Sequence, residues 1–111
     1  MGFGVLLHPA TQLSGSTDGT AVNNGAATSN GYSANLNIIE TSGGAGWTLA
    51  IEGSATGSFG GEETTLATFT AAGAAIIGEN ASGTGAVLQY LRFTATAGAG
   101  TVTPVVSIER L

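Results

Sequence analysis

The sequence contains no cysteine and no lysine. Without cysteine the chain cannot form a disulfide, a thiolate metal site or a thiol nucleophile. Arg92 and Arg110 are its only arginines, and seven acidic residues outnumber them, which gives a formal net charge of −5. A nucleic-acid-binding protein needs several cations to displace counterions from the phosphates. We therefore expect no nucleic-acid partner.

Long apolar runs are also missing. The longest, residues 71–78, is far shorter than the roughly 20 residues that a bilayer-spanning helix needs. The first ten residues carry only a short apolar run, Val5 to Leu7, with no positive residue ahead of it. We expect a soluble chain with no membrane segment and no cleaved signal peptide.

The residues that are abundant favour β-structure. Glycine, with 19 residues, makes up about half of the chain together with alanine and threonine. Glycine and threonine are poor residues for helix interiors, whereas threonine suits a pleated surface and glycine suits turns. Apolar residues alternate with polar ones instead of recurring at helical spacing. The composition therefore predicts an all-β protein.

The alternation predicts strands separated by glycine-rich turns. The predicted strands are residues 3–8, 32–39, 47–52, 66–70, 74–77, 87–96 and 102–108. The predicted loops are residues 42–46, 79–85 and 97–100. A tight turn at 97–100 would place Phe93 opposite Pro104 and Leu91 opposite Val106. Because proline cannot donate to a ladder, we expect the nitrogen of Pro104 to face an edge or a gap in the pairing.

A polar segment at residues 10–31 interrupts this pattern. It contains the turn signals Asp18-Gly19, Asn24-Gly25 and Asn30-Gly31 and few large apolar side chains. It is either an arm or a set of tight turns around one short strand near residues 20–22. We expect it to become ordered mainly against a partner, because it buries little area of its own; the alternative is a loop that packs on its own sheet. We therefore expect residues 1–111 to form one domain, a small antiparallel β-sandwich or jelly roll of seven to eight short strands. The number depends on whether the strand near residues 20–22 forms.

Few residues could support chemistry. His8 is the only histidine, and a strand-end histidine bonded to the backbone or to solvent is favoured over a catalytic one because no G-x-S-x-G motif occurs. Glu62 and Glu63 lie in a glycine-rich loop and could approach Asp18 around a calcium ion, but no calcium-loop motif supports this site. We expect no catalytic residue, no metal site and no cofactor, and hence no enzyme.

Two other sets of residues have both a functional and a structural interpretation. Paired carboxylates for glycoside hydrolysis could be drawn from three glutamates that we place at strand ends or in loops: Glu40, Glu52 and Glu79. Trp47 could stack on a sugar, but its alternation with Leu49 and Ile51 favours core packing.

Arg92 is the strongest candidate for an interface residue. It shares a strand face with Tyr90, and arginine and tyrosine are enriched at protein–protein hot spots. The alternative is a local ion pair with a glutamate, which contributes about 0–1 kcal/mol when exposed. The candidate interface residues are Tyr90, Arg92, Asp18 and Val22.

Four sequence motifs within residues 32–110 resemble those of small β-sandwich proteins from tailed-phage virions. They are Leu-Ala-Ile-Glu-Gly-Ser at 49–54, Leu-Ala-Thr-Phe-Thr at 66–70, Tyr-Leu-Arg-Phe at 90–93 and Gly-Thr-Val-Thr at 100–103. Within that group, a chain of this length most resembles the jelly-roll capsid decoration (cement) proteins of short-tailed double-stranded-DNA phages. The polar segment departs from the plain sandwich pattern, so the resemblance stops before it.

The resemblance implies a non-enzymatic structural protein on the outer surface of a virion that is assembled in the host cytoplasm. Its partners would be subunits of the major capsid protein, which it would clamp together. We also expect the chain to be a homo-oligomer or to become one on its target, most simply a two-fold pair, because a small sandwich has exposed sheet edges and this chain has no lysine to protect them. The alternative function is a carbohydrate- or receptor-binding module of a phage tail or a bacterial adhesin, for which we would expect exposed aromatic residues on loops.

Overall fold

Every regular element in the described part of the chain is a β-strand. The computed structural model describes residues 4–8, 11–23, 31–59, 64–72, 77–83 and 89–110. The strands are β1 (Gly4–His8), β2 (Thr17–Asp18), β3 (Val22–Asn23), β4 (Tyr32–Ala45), β5 (Trp47–Ser54), β6 (Thr64–Ala72), β7 (Ile77–Gly83), β8 (Tyr90–Thr96) and β9 (Ala99–Arg110). The all-β prediction is confirmed.

The strands form two antiparallel sheets that pack face to face. Sheet A has the order β1-β9-β4-β7, and sheet B has the order β2-β8-β5-β6, with β3 also pairing with β8. Because β2 and β3 follow one another along β8, they act as two halves of one edge strand. The sandwich then has eight strands, and the chain crosses between the sheets at every connection except β5 to β6. This is the connectivity of a jelly roll, as predicted.

The core lies between the sheets and is built from alternate residues of the long strands. In β5 the residues Trp47, Leu49 and Ile51 are all fully buried, as their alternation predicted. The other inward positions are Ala34, Leu36 and Ile38 of β4, Ala67 and Phe69 of β6, Leu91, Phe93 and Ala95 of β8, and Val102, Pro104, Val106 and Ile108 of β9. Each large apolar side chain buried in this way stabilises the fold by about 1.5–3 kcal/mol.

Bulges in the ladders of sheet A change which side chains reach the core. β1 has one extra residue relative to β9 between Leu6 and His8. As a result Leu7 and His8 are both buried although they are neighbours in sequence. β4 has an extra residue between Ile38 and Glu40, which leaves Ile39 exposed.

The predicted hairpin at residues 97–100 is wrong. β8 and β9 follow each other in sequence but lie in different sheets, so Phe93 does not pair with Pro104, nor Leu91 with Val106. Pro104 instead pairs with Ile38 of β4. The segment after β8 is therefore a corner between sheets, and β9 already begins at Ala99.

The expectation for the nitrogen of Pro104 is confirmed. Val102, two residues earlier, exchanges both of its backbone hydrogen bonds with Leu13, on the side of β9 away from β4. Because backbone groups alternate sides along a strand, Pro104 faces that same side. Among the described residues, β1 pairs with β9 as far as His8, and the next residue to pair on that side is Leu13. The missing N–H group therefore costs no ladder hydrogen bond.

Two of the predicted loops and several strand boundaries also need correction. Residues 42–45 continue β4 instead of forming a turn, and the chain passes to sheet B at Gly46. Residues 79–83 belong to β7 and not to a loop. Of the predicted strand at 74–77, residues 74–76 lie outside the described residues, as do residues 84–88 around the predicted start of the strand at 87–96.

The described part of the polar segment packs on its own sheets. Leu13 bridges to Val102, with N···O distances of 2.7 and 3.1 Å, and β2 and β3 pair with β8. The apolar side chains of Leu13 and Val22 contact the core. Residues 24–30 lie outside the described residues. That the segment becomes ordered mainly against a partner stays a prediction. The contacts of residues 11–23 are those expected of the alternative, a loop that packs on its own sheet.

Candidate protein-interaction surface

The structure brings three of the four candidate interface residues to the outer face of sheet B. Tyr90 and Arg92 occupy outward positions of β8, and Asp18 lies beside them in β2. Val22 lies opposite Leu91, a core position, and its half-buried side chain packs against the core. Val22 therefore lies on the inner face of sheet B, apart from the other three candidates.

Within sheet B, the guanidinium of Arg92 is held on several sides. Nε donates to Oε1 of Glu52 at 2.9 Å, Nη2 forms an ion pair with the same oxygen at 2.9 Å, and Nη1 lies 3.7 Å from Oδ2 of Asp18. Cζ lies 4.4 Å from the centroid of the Phe59 ring, a cation–π contact. We call these residues, Arg92, Glu52, Asp18 and Phe59, the Arg92 cluster.

The loop after β5 places Phe59 over the guanidinium. Oγ of Ser54, which is fully buried, accepts hydrogen bonds from the backbone N–H groups of Thr56 (3.2 Å) and Gly57 (3.0 Å). The same hydroxyl donates to the carbonyl oxygen of Ser58 at 3.0 Å. A serine that closes a turn in this way offers the backbone local partners in place of a ladder. A Cβ atom on Gly57, whose φ is +87°, would contact the ring of Tyr90 at 3.5 Å, so the loop passes beside β8 at this point.

These contacts favour a structural role for Arg92. Its side chain is 20% exposed and that of Glu52 is 17% exposed, so most of the pair is shielded from water, whereas Asp18 is 63% exposed. Freeing Arg92 for a partner would leave the shielded Glu52 carboxylate without its cation, which is unfavourable. Of the two interpretations drawn from the sequence, the local ion pair is the one that the geometry supports.

The outer face of sheet A is different, because its centre carries no charged side chain among the described residues. Its outward positions pair across the strands as Leu6 with Ser107, Ser107 with Asn35, and Val105 with Asn37. Leu6 is 55% exposed. The carboxylates that the described residues place on this face lie towards its ends, at Glu40 and Glu109. We call the central residues, Leu6, Asn35, Asn37, Val105 and Ser107, the sheet A patch.

Sequence reasoning missed the sheet A patch. The signal was present in β4, where Asn35 and Asn37 alternate with buried apolar residues and no charged residue takes an outward position from 33 to 37. The patch residues on β9 could not be found in the same way, because the pairing of β9 with β4 joins residues about 70 positions apart. The turn predicted at residues 97–100 paired β9 with β8 instead.

His8 has the structural role favoured by the sequence. Its ring is buried at the end of β1, with the Nδ1 atom 2.9 Å from the carbonyl oxygen of Pro104. Since a carbonyl only accepts, we assign the proton to Nδ1. The ring centroid lies 4.6 Å from that of Phe93 at an interplanar angle of 47°. The histidine thus closes the gap between β1 and the Leu13 bridge.

The glutamates do not lie where the sequence placed them. Glu40, Glu52 and Glu79 are inside β4, β5 and β7, not at strand ends or in loops. Glu62 and Glu63 lie outside the described residues. Among the residues that the structure describes, no group of three or more potential metal ligands and no pocket occurs.

Most described aromatic side chains face inward. Trp47 is fully buried, and its indole N–H donates to the carbonyl oxygen of Ala99 at 2.8 Å, so it serves the core as expected. Tyr32, Phe69 and Phe93 are also buried, and Phe59 is covered by Arg92. Tyr90 is half-buried against Gly57. The described residues therefore do not display the exposed aromatic rings expected of a carbohydrate-binding module.

In comparisons with known proteins, no protein-family model, no curated protein and no solved structure matches this chain. The likeness to phage decoration proteins therefore depends on the sequence motifs. In the part of the chain that the structure describes, no helix has the length and apolar character needed to cross a membrane.

Proposed function

We propose that this protein is a non-enzymatic virion protein that binds the outer surface of a phage capsid and holds neighbouring subunits of the major capsid protein together. The observation that carries the proposal is the sheet A patch. An extended sheet surface whose described central side chains are all uncharged, with an exposed leucine, is suited to contact with another protein.

The chemistry of the patch matches that of an interface centre. Charged residues are depleted at the centres of protein–protein interfaces and are retained at the rim. The patch repeats this arrangement, with Glu40 and Glu109 at its ends and Asn35, Asn37 and Ser107 between them. Amide and hydroxyl groups can pair with the backbone of a partner, and Leu6 can enter an apolar pocket there.

The fold is compatible with this function. The resemblance to decoration proteins implies a jelly roll, and the strand order of this chain is that of a jelly roll. Because this fold also hosts unrelated functions, the proposal depends on the surface and on the resemblance. A two-fold pair of the protein would let one assembly contact two capsid subunits.

The proposal can be tested by co-sedimentation with empty shells assembled from the major capsid protein of short-tailed phages. We expect binding that Leu6→Glu and Asn37→Glu each weaken at least tenfold, because each adds a charge to the patch. The matched control is Thr96→Glu, which adds the same charge at an exposed position on the outer face of sheet B and should leave binding unchanged. Equal binding by all three variants, or no binding by the unmodified protein, would count against the proposal.

A further inference from the structure

The sheet edges are not protected equally. The edge strand β1 carries a bulge at Leu7, and β6 carries two, because it has an extra residue relative to β5 both between Ala67 and Thr65 and between Ala72 and Phe69. The edge formed by β2 and β3 has one extra residue relative to β8 between Asp18 and Val22. Bulges of this kind twist an edge and hinder the addition of another strand.

The remaining edge, β7, has no such interruption in its described ladder. All seven of its residues, Ile77–Gly83, pair with β4 in one continuous register. It contains no proline and no lysine. Among the residues that the structure describes, β7 pairs only with β4, and no other described strand pairs with its second side.

The pairing pattern defines which backbone groups face this second side. Val102 exchanges its hydrogen bonds with Leu13, so the odd-numbered residues of β9 face β4. The even-numbered residues of β4 in this ladder consequently face β7, and the bonded pairs there are Tyr32–Gly83, Ala34–Ala81, Leu36–Glu79 and Ile38–Ile77. The N–H and C=O groups of Gly78, Asn80 and Ser82 therefore point away from the sheet.

We propose that two copies of this chain pair in solution through β7, antiparallel and about a two-fold axis at Asn80. In this register Asn80 lies opposite Asn80 of the second copy, and Gly78 lies opposite Ser82. All three outward-facing residues of each strand then have a partner, and about six backbone hydrogen bonds form. The inference takes the two-fold pair from the proposed function and assigns it to one edge and one register.

Charge and hydrogen bonding both favour this register over its neighbours. Moving the axis to residue 79 leaves only two outward residues of each strand paired and places Glu79 directly opposite Glu79 of the second copy, which is unfavourable. Moving it to residue 81 avoids that opposition but also pairs only two outward residues. With the axis at Asn80, each Glu79 lies opposite an alanine, Ala81.

The absence of cysteine allows a direct test on the free protein. In the proposed pair the two residues at position 80 have Cα atoms roughly 5.5 Å apart, within the range that a disulfide spans. We expect Asn80→Cys to form disulfide-linked dimers under mild oxidation at least tenfold faster than Asn37→Cys. The control places its thiol at an exposed position of the same sheet face, one strand further from the axis. In parallel, Asn80→Lys should be monomeric in sedimentation equilibrium and Asn37→Lys dimeric, because only the first opposes two charges at the axis.

These experiments contain no capsid shells, so their outcomes test the pairing of two copies independently of capsid binding. Selective cross-linking at position 80 together with a monomeric Asn80→Lys variant supports the proposal. A monomeric unmodified protein, equal cross-linking of the two cysteine variants, or a dimer that persists in Asn80→Lys overturns it. If the edge is instead used by a capsid subunit, the free protein is monomeric and the pairing of copies is wrong.

Discussion

Gly43 and Gly100 have the same backbone conformation but different surroundings, which allows the cost of crowding to be separated from the cost of conformation. Both have φ +65°. A Cβ atom on Gly43 would meet nothing within 4 Å, whereas one on Gly100 would lie well under 3.0 Å from the backbone of Gly43 and Ser42. Gly98 is crowded in the same way by the backbone of Ala45 and Gly46, without a positive φ.

These values predict a graded series of alanine variants. In Gly43→Ala the left-handed conformation destabilises the folded state by roughly 1–2 kcal/mol. The lower conformational entropy of the unfolded chain offsets about 0.4–1 kcal/mol of this, so the net loss of stability is about 1 kcal/mol. Gly100→Ala adds about 1–3 kcal/mol, because backbone atoms must shift. Gly98→Ala has only this second cost. Gly15→Ala, with open space and no positive φ, should be neutral or slightly stabilising.

Urea unfolding followed by tryptophan fluorescence measures the series. Trp47 is the only tryptophan, is fully buried, and bonds to Ala99 at this same corner, so it reports directly on the region. Midpoints should fall in the order Gly15→Ala, Gly43→Ala, Gly100→Ala at an unchanged slope. If Gly98→Ala and Gly100→Ala are no less stable than Gly43→Ala, residues 42–46 do not contact Gly98 and Gly100 as described, and the reasoning fails.

Two further substitutions test contacts between elements. Glu52→Gln should destabilise the protein by about 1–3 kcal/mol, because it removes the shielded anionic partner of Arg92. Asp18→Asn should cost about 0–1 kcal/mol, because Asp18 is exposed. Equal losses of stability in chemical denaturation would contradict the assignment of Glu52 as the main partner. Tyr32→Phe should cost about 0.5–1.5 kcal/mol, since the hydroxyl donates to the carbonyl oxygen of Leu66 and links the two sheets at the bulge in β6. Thermal unfolding measures this loss, and Tyr90→Phe serves as its control; a loss as large in the control would refute the assignment.

The fold class could be predicted from the sequence because local alternation is sufficient for it. Trp47, Leu49 and Ile51 identify β5 and its inward face without knowledge of any other strand. The pairing of strands could not be predicted in the same way. A glycine-rich stretch such as residues 97–100 looks the same whether it closes a hairpin or turns the chain into the other sheet. What decides is that the backbone of Ala45 and Gly46 packs against Gly98, a contact between residues about 50 positions apart.

β7 shows a second limit of sequence reasoning. Its residues include two glycines, an asparagine and a serine, which are typical of a loop. They form a strand because Tyr32 to Ile38 offer a continuous partner and because Tyr32 packs on Gly83, where a Cβ atom would lie 2.7 Å from the tyrosine hydroxyl. For the same reason the sequence pointed to Arg92 as an interface residue. Arg92 is shielded because the register of β5 and β8 places Glu52, 40 positions earlier in the sequence, opposite it.

The two proposals are connected because the sheet A patch and the β7 edge belong to the same sheet. In antiparallel pairing, opposed residues lie on the same face of the sheet, so a two-fold pair through β7 would place both copies of the patch on one side of a continuous eight-stranded sheet. Two patches on one rigid surface can bind two capsid subunits at once, and the second contact then gains the advantage of high effective concentration. We therefore expect Asn80→Lys to bind shells more weakly than the unmodified protein. Because Asn80 lies opposite Asn35 of the patch, the control for the added charge is Asn37→Lys, which keeps the pair and carries the same charge on the same face. Leu6→Glu should weaken binding further, because it damages the contact itself. Titration of shells with Asn80→Lys, Asn37→Lys and Leu6→Glu measures the two effects, and equal affinity of Asn80→Lys and the unmodified protein would show that pairing contributes nothing to the clamp.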